Sequence, residues 1–288
     1  MMNRLTRCVV PLFAGLVFST GLLGQAPKLS FPAPSPEGVV KQRVGFTDIE
    51  VVYSRPSAKG RKVFGGLVPY GEVWRTGANT ATKVTFSTPV KIGNQEVPAG
   101  SYALFTIPGE REWTVILNRV TGEWGAYSYK EAGDVMRVKI RPAAAVQPVE
   151  TFTIELNDIR TESATLYLTW ESTRVPVRID VDVVRPMVAQ IESIVVPGAK
   201  LDAATYFSAA MFYYDNALDL TKARGWVEAA TADGKAPFYM LHGKAKILAR
   251  LGDKPGAIAA AQQSIAAAEG PAKAEYTRLN EALIATLR

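Results

Sequence analysis

Residues 102–117 read YALFTIPGEREWTVIL and contain two apolar, alternating runs on either side of a turn signal. The first run, 102–107, alternates between two faces, and the run from Trp113 to Leu117 repeats the same period of two. Pro108 and Gly109 separate the two runs. A period of two with turn residues between the runs is typical of antiparallel strands. This stretch therefore predicts antiparallel β-structure.

The same period extends to both sides, over residues 39–185. Further runs of this kind are Val40–Val44, Ile49–Tyr53, Val84–Phe86, Val90–Ile92 with a Gly93-Asn94 turn before Val97, Met136–Ile140, Phe152–Leu156, Leu166–Trp170 and Val175–Val183. A sheet of about nine strands buries its apolar faces most easily against a second sheet. We therefore expect an all-β antiparallel sandwich of the jelly-roll or immunoglobulin-like type.

The pattern changes after Arg185 from strands to helices. Residues 186–201 predict a short connecting helix and a linker, and residues 202–288 are rich in alanine with a helical period. Asp219 and Asp253 lie 34 residues apart, as do Ala223 and Ala257. A helical pair that repeats every 34 residues or so is typical of tetratricopeptide repeats.

The sequence thus predicts a small tetratricopeptide-like domain over residues 202–288, and a generic bundle of helical hairpins is the alternative. Such a domain would offer a surface to a peptide or protein partner. Two repeats and a terminal helix bury little core by themselves, so we expect them to pack on the β domain.

The N-terminal 26 residues predict a secretory signal peptide. Arg4 and Arg7 precede an apolar run of about 16 residues, which is shorter than the ~20 residues that a membrane span requires. A proline-rich linker follows at 27–38. We expect export to the periplasm or the outside of the cell, and no membrane span once the signal is removed; an uncleaved anchor is the alternative.

Cysteine and histidine are almost absent from the chain. The one cysteine, Cys8, lies in the predicted signal, and the one histidine, His242, lies in the helical part, where packing is its expected role. This composition argues against disulfides, multi-histidine metal sites and a Ser-His-Asp triad, so we expect no metal and no cofactor. Without Arg4 and Arg7 the charge is 31 − 27 = +4, and this modest excess does not indicate nucleic-acid binding.

The excess of positive over negative charge is concentrated in residues 53–83, YSRPSAKGRKVFGGLVPYGEVWRTGANTATK. Six basic residues there face one acid, Glu72, for a local balance of 6 − 1 = +5. A guanidinium binds carboxylate, phosphate or sulfate through its planar fork, and aromatic rings can stack on a sugar or a cation. The candidate ligand-binding residues are Arg55, Lys59, Arg61, Tyr70, Trp74, Arg75 and Asn79.

Three functional hypotheses fit this stretch. The first is a non-catalytic module that binds a small anionic or sugar-like ligand, with Arg55 and Arg75 on its charge and Asn79 orienting it. The second is a hydrolase acting on envelope glycans or an anionic metabolite, with Glu72 as acid or base in the cavity of Arg75. The third is a structural envelope protein, in which Arg55 and Arg75 each pair with an acid and no cavity remains.

The same stretch resembles a known family of secreted bacterial proteins. The strings Tyr53-Ser-Arg-Pro-Ser57, Leu67-Val-Pro-Tyr-Gly71 and above all Val73-Trp-Arg-Thr-Gly-Ala-Asn79 are similar to those of the proteins grouped as domain of unknown function 2911. Ala99-Gly-Ser-Tyr102 and Trp113-Thr-Val-Ile116 fit as well. The resemblance covers roughly residues 38–185. It implies export and a β-rich domain, followed in some members by tetratricopeptide-like helices, and it implies no activity.

Overall fold

The computed structural model of the protein describes residues 31–288, so the predicted signal peptide at 1–26 lies outside the described residues. Antiparallel strands come first and six α-helices follow. The strands are β1 (Glu37–Val44), β2 (Thr47–Ser54), β3 (Thr82–Phe86), β4 (Val90–Ile92), β5 (Gln95–Val97), β6 (Gly100–Ile107), β7 (Trp113–Asn118), β8 (Asp134–Ile140), β9 (Ala143–Arg160) and β10 (Ser163–Val181).

Two sheets contain all of these strands. One has six strands in the order β1-β2-β3-β6-β7-β8, and the other has four in the order β5-β4-β10-β9. The antiparallel pairing predicted for residues 102–117 is confirmed, because Leu104 of β6 lies opposite Leu117 of β7. The Gly93-Asn94 turn joins β4 to β5 as predicted, with Val90 opposite Val97.

Residues from both sheets form one apolar core. Val51, Val84 and Leu104 reach it from the six-stranded sheet, and Ile154 and Val177 from the four-stranded sheet. Each strand contributes every second residue, as the period of two requires. Five aromatic rings lie together at one end of this core: Phe64, Trp74, Trp113, Phe152 and Trp170.

Strand β10 differs from the sequence prediction, which had two strands at 166–170 and 175–183. The chain instead runs through as one strand of 19 residues. Register shifts on both sides of Glu171, which has a left-handed φ of 46°, bend the strand without ending it. Its first part pairs with β9, and Ile179–Val181 pair with β4. A bulge therefore takes the place of the break between the two predicted runs, 166–170 and 175–183.

The helices are α1 (Val184–Ile194), α2 (Ala203–Asp215), α3 (Leu220–Ala230), α4 (Phe238–Arg250), α5 (Lys254–Ala267) and α6 (Ala272–Leu287). Helix α2 packs on α3, α4 on α5, and α5 on α6. The two aspartates of the 34-residue repeat, Asp219 and Asp253, are the N-caps of α3 and α5 and accept hydrogen bonds from backbone N–H groups.

The apolar clusters of the helical part contain no residue of the β strands, which differs from the expectation that the helices pack on the β domain. Helices α1 and α6 themselves contribute to these clusters, through Ile191 and Ile284. His242 has the expected packing role: its Nδ1 lies 2.8 Å from Oδ1 of the buried Asn280. Between residues 31 and 288 no helix is long and apolar enough to cross a membrane.

Candidate functional site

The segment at residues 74–79, here called the WRTGAN segment, leaves strand geometry and folds against both sheets. The backbone of Trp74 exchanges two hydrogen bonds with Thr106 of β6, N to O at 2.7 Å and 2.9 Å. The Trp74 indole N–H donates to the carbonyl of Gly77 at 3.1 Å, while the ring stacks on Trp170. This tryptophan is 8% exposed and therefore anchors the segment to the core.

The backbone of the WRTGAN segment is strained. Thr76 has a φ of 52° and is fully buried, and Asn79 has a φ of 57°. A left-handed conformation is rare for a β-branched residue such as threonine and costs of the order of 1–3 kcal/mol. Hydrogen bonds hold it in place, since the Thr76 hydroxyl lies 3.1 Å from that of Thr106. Strain of this kind concentrates at functional sites, which directs attention to the neighbouring Arg75.

Arg75 lies on a cleft of about 530 Å³, here called the Arg75 cleft. Its lining comprises Ser35, Pro56, Arg61, Leu67, Val68, Pro69, Glu72, Val73, Trp74, Arg75, Gly77, Ala78, Ala126, Tyr127 and Trp170. Trp74 and Trp170 belong to this lining although both side chains are buried. Two cations and one carboxylate line the cleft, so its local balance is 2 − 1 = +1.

The Nε atom of Arg75 is buried and has no hydrogen-bond partner. Among residues 31–288, no ion pair within 4.0 Å includes Arg75. The other two such buried atoms in the described part of the chain, Thr169 Oγ1 and Arg174 Nε, belong to residues that line a separate cleft of about 320 Å³. A buried donor without an acceptor costs ~1–3 kcal/mol, so the unpaired Nε of Arg75 is a cost that the fold carries.

Arg55 and Asn79, both predicted site residues, lie outside the lining of the Arg75 cleft. Arg55 crosses to the second sheet and donates to the carbonyl of Phe152 at 3.3 Å and to the hydroxyl of Thr153 at 3.0 Å. Asn79 donates from Nδ2 to Ser54 Oγ at 3.2 Å. Both side chains therefore join parts of the domain to one another.

The remaining predicted site residues are divided. Arg61 and Trp74 line the cleft with Arg75. The guanidinium of Arg61 is tied down, because it donates to the carbonyls of Ala58 at 2.9 Å and Ser57 at 2.8 Å. Lys59 and Tyr70 are exposed and lie outside the cleft lining. The structure thus brings together three of the seven predicted residues.

Glu72, the carboxylate of the hydrolase hypothesis, is exposed and lines the same cleft as Arg75. This is the placement that the hypothesis requires. Glu72 is, however, the one acidic residue in the described lining, whereas hydrolysis of a glycosidic bond commonly uses two carboxylates. The geometry allows Glu72 to accept hydrogen bonds from a ligand and does not provide a carboxylate pair.

One wall of the cleft comes from the loop between β7 and the short 3₁₀ turn Glu131–Gly133 ahead of β8, which the sequence analysis did not single out. Ala126 and Tyr127 of this loop line the cleft, and Tyr127 is 87% exposed. The nearby Trp124 is 66% exposed. The string Glu123-Trp-Gly-Ala-Tyr-Ser-Tyr129, three aromatic residues around a glycine, was the available signal.

A family model described as "Protein of unknown function (DUF2911)" matches residues 35–179. The chain belongs to this family. The match spans the strands from β1 almost to the end of β10 and includes the whole lining of the Arg75 cleft, so this cleft is a feature of the matched domain. Helices α1 to α6 follow the matched region as a C-terminal extension. The chain matches no curated protein and no solved structure.

Proposed function

We propose that the protein is an exported, non-catalytic module that binds a small anionic ligand in the Arg75 cleft. In this proposal residues 1–26 are a signal peptide, and the two sheets form a sandwich of the jelly-roll or immunoglobulin-like type. The shared apolar core between the sheets supports the sandwich, since residues of both reach it.

The unsatisfied Arg75 Nε carries the binding proposal. A bound carboxylate or phosphate would accept from this donor and from the other N–H groups of the same guanidinium. The backbone next to Arg75 is held in place, because the strained Thr76 is bonded to Thr82 and Thr106 at some cost in stability. Such preorganisation lowers the entropy lost on binding.

The charge of the cleft also supports an anion. Arg61 and Arg75 outnumber Glu72, and Arg61 keeps its position through two backbone carbonyls. Trp74 is almost fully buried, so it packs in the core next to Arg75 and offers little ring surface to a ligand. The binding group of the proposal is therefore smaller than the seven residues predicted from the sequence.

We assign the helices to a tetratricopeptide-like scaffold for a peptide or protein partner. Five pairs of buried residues recur 34 positions apart: Ala209 with Gly243, Tyr213 with Ile247, Ala223 with Ala257, Val227 with Ala261, and Ala230 with Ser264. A crystal structure tests this assignment. The hairpins α2–α3 and α4–α5 should superpose on each other, and different crossing angles in the two hairpins would argue against repeats.

A thermal-shift screen of the protein without residues 1–26, with carboxylates, phosphates, sulfates and sugars, tests the binding proposal. A ligand at 100 times its Kd adds ~2.7 kcal/mol to the stability of the fold, which raises Tm by roughly 5–10 °C. We expect such a shift with an anion, and Arg75→Ala should abolish it.

Arg160→Ala is the matched control for this screen. Arg160 is exposed and lies at the end of β9, before the β9–β10 turn. This turn is close to the turn before β2, because a Cβ at Gly45 would lie 2.9 Å from the carbonyl of Thr161, the residue after Arg160. The cleft lies near the other end of β2, since a Cβ at its lining residue Gly77 would lie 2.9 Å from the Ser54 carbonyl oxygen. Arg160→Ala should therefore show the same ligand-induced rise in Tm as the unchanged protein. No Arg75-dependent shift with any anion would refute the proposal.

The hydrolase remains the second candidate because Glu72 shares the cleft with Arg75. Glu72→Gln separates the two functions. It keeps the shape of the side chain and removes its base, so a binding module retains its ligand, whereas an enzyme loses turnover of that ligand. Product formation from the hit of the screen, measured by mass spectrometry and abolished in Glu72→Gln, would favour the enzyme.

A further inference from the structure

We infer that the ligand of the Arg75 cleft is a sugar ring that carries an anionic group, and that Tyr127 is the surface on which the ring stacks. This inference rests on the proposed function and names its ligand class. The anionic group would lie on Arg75 and the ring on Tyr127, while Glu72 would accept hydrogen bonds from ring hydroxyls. All three residues line the one cleft.

Tyr127 is an exposed ring that lies over Gly125. Its ring lies against the backbone of Gly125, which has a left-handed φ of 78°. A Cβ at Gly125 would lie 2.6 Å from the ring, so the glycine makes this contact possible. A tyrosine that is 87% exposed offers a flat ring surface, and with only two side-chain torsions it loses little conformational entropy on binding.

The loop that carries Tyr127 is bonded directly to the WRTGAN segment. Gly125 N–H donates to the carbonyl of Asn79 at 3.0 Å, and just beyond the segment Ala81 N–H donates to the carbonyl of Glu123 at 2.9 Å. Asn79 is itself fixed to Ser54 through its side chain. The aromatic and cationic walls of the cleft thus share one scaffold, and this explains the left-handed conformation at Asn79 better than a direct role in orienting a ligand.

The combination of these groups specifies the ligand. A guanidinium binds carboxylate or phosphate, and the face of an aromatic ring covers the apolar face of a sugar. A free carboxylate next to them accepts from hydroxyl groups. A small inorganic anion would use Arg75 alone, and a neutral sugar would leave its Nε without an acceptor. A sugar acid or a sugar phosphate satisfies all three residues.

Titration calorimetry with five probes tests this inference: glucuronate, galacturonate, glucose 6-phosphate, glucose and succinate. We expect at least one of the three charged sugars to bind at least tenfold more tightly than both glucose and succinate. Tyr127→Ala should weaken that binding by about tenfold, the size expected for loss of one aromatic contact, and should leave the affinity for succinate unchanged. Tighter binding of glucuronate or galacturonate would indicate that the anionic group of the ligand is a carboxylate, and tighter binding of glucose 6-phosphate would indicate a phosphate.

Tyr70→Ala is the matched control. Tyr70 is also exposed and also rests on a left-handed glycine, Gly65, whose Cβ would lie 2.6 Å from the ring, but it lies outside the cleft lining. Its replacement should leave all five affinities unchanged. Both variants change exposed rings, and an unaltered near-ultraviolet circular dichroism spectrum verifies their folds.

The outcomes separate the inference from the function on which it rests. If succinate binds as tightly as the charged sugars, or if Tyr127→Ala has no effect on them, the inference is wrong while an Arg75-dependent anion site stands. If glucose matches the charged sugars, the anionic group is wrong. If none of the five probes shows binding that Arg75→Ala abolishes, the inference is wrong. The thermal-shift screen with anions then tests the proposed function separately.

Discussion

Gly77 allows the WRTGAN segment to pass close to strand β2, and its replacement by alanine should destabilise the β domain. The residue has a φ of 154°, and a Cβ would lie 2.9 Å from the Ser54 carbonyl oxygen and 3.1 Å from Thr82 Oγ1. The unfavourable backbone conformation costs ~1–3 kcal/mol, and moving a neighbouring backbone atom adds about 1 kcal/mol or more. We therefore expect Gly77→Ala to lower the free energy of unfolding by about 3 kcal/mol.

Gly60→Ala separates the two contributions. Gly60 also has a left-handed φ, 71°, but a Cβ there would meet nothing within 4 Å. Its replacement should therefore cost only the conformational penalty, ~1–2 kcal/mol. Urea unfolding followed by near-ultraviolet circular dichroism, to which the stacked Trp74 and Trp170 contribute, measures both variants. Equal losses in the two variants would refute the close approach of Gly77 to Ser54.

Three other variants test separate parts of the structure. Thr169→Val removes a buried hydroxyl without a partner and should leave the free energy of unfolding unchanged or raise it by up to ~1 kcal/mol; a loss above that in urea unfolding would mean that the hydroxyl is satisfied. Asp253→Ala removes the cap that accepts from Gly256 N–H at 3.0 Å, and the helical signal in far-ultraviolet circular dichroism should melt with ~1 kcal/mol less stability; no loss would argue against the cap. The Lys222 ammonium holds the pKa of the Glu192 carboxyl below its ordinary value, so the stabilisation is present above the unfolded-state pKa and is lost as the pH falls through the lower folded-state pKa. Glu192→Gln should flatten this acid dependence of the helical signal, and an unchanged acid limb would contradict the assigned pair.

The sheets could be predicted because their pattern is local. Alternation in residues 102–107 places Leu104 on the core side of β6, and the turn at Pro108-Gly109 leaves Trp113 to begin β7. The continuity of β10 could not be read in the same way. Glu171 looks like part of a turn, and only the pairing of the flanking residues with β9 and β4 shows that the strand continues through a bulge.

The site was harder to predict because the fate of each cation depends on distant residues. Arg55 and Arg75 lie in the same basic stretch, yet Arg55 is satisfied by Phe152 and Thr153, almost 100 positions away. Arg75 meets no such partner among the described residues. Tyr127 was missed because backbone hydrogen bonds, such as Gly125 N–H to the Asn79 carbonyl, bring its loop to the WRTGAN segment, and the aromatic string by itself does not show which part of the chain it will face.

The Nε–H resonance of Arg75 gives the most direct test of the central claim that this donor awaits an anionic acceptor. In ¹⁵N-labelled protein, Arg75→Lys assigns the signal by its disappearance, and glucuronate and glucose 6-phosphate are then titrated. The account predicts a saturable downfield shift of this signal with at least one of them, while the signal of Arg55, already bonded to β9, stays in place. If the Arg75 Nε–H signal stays unchanged in both titrations and with every anion of the thermal-shift screen, this donor does not bind an anion and the central claim is wrong.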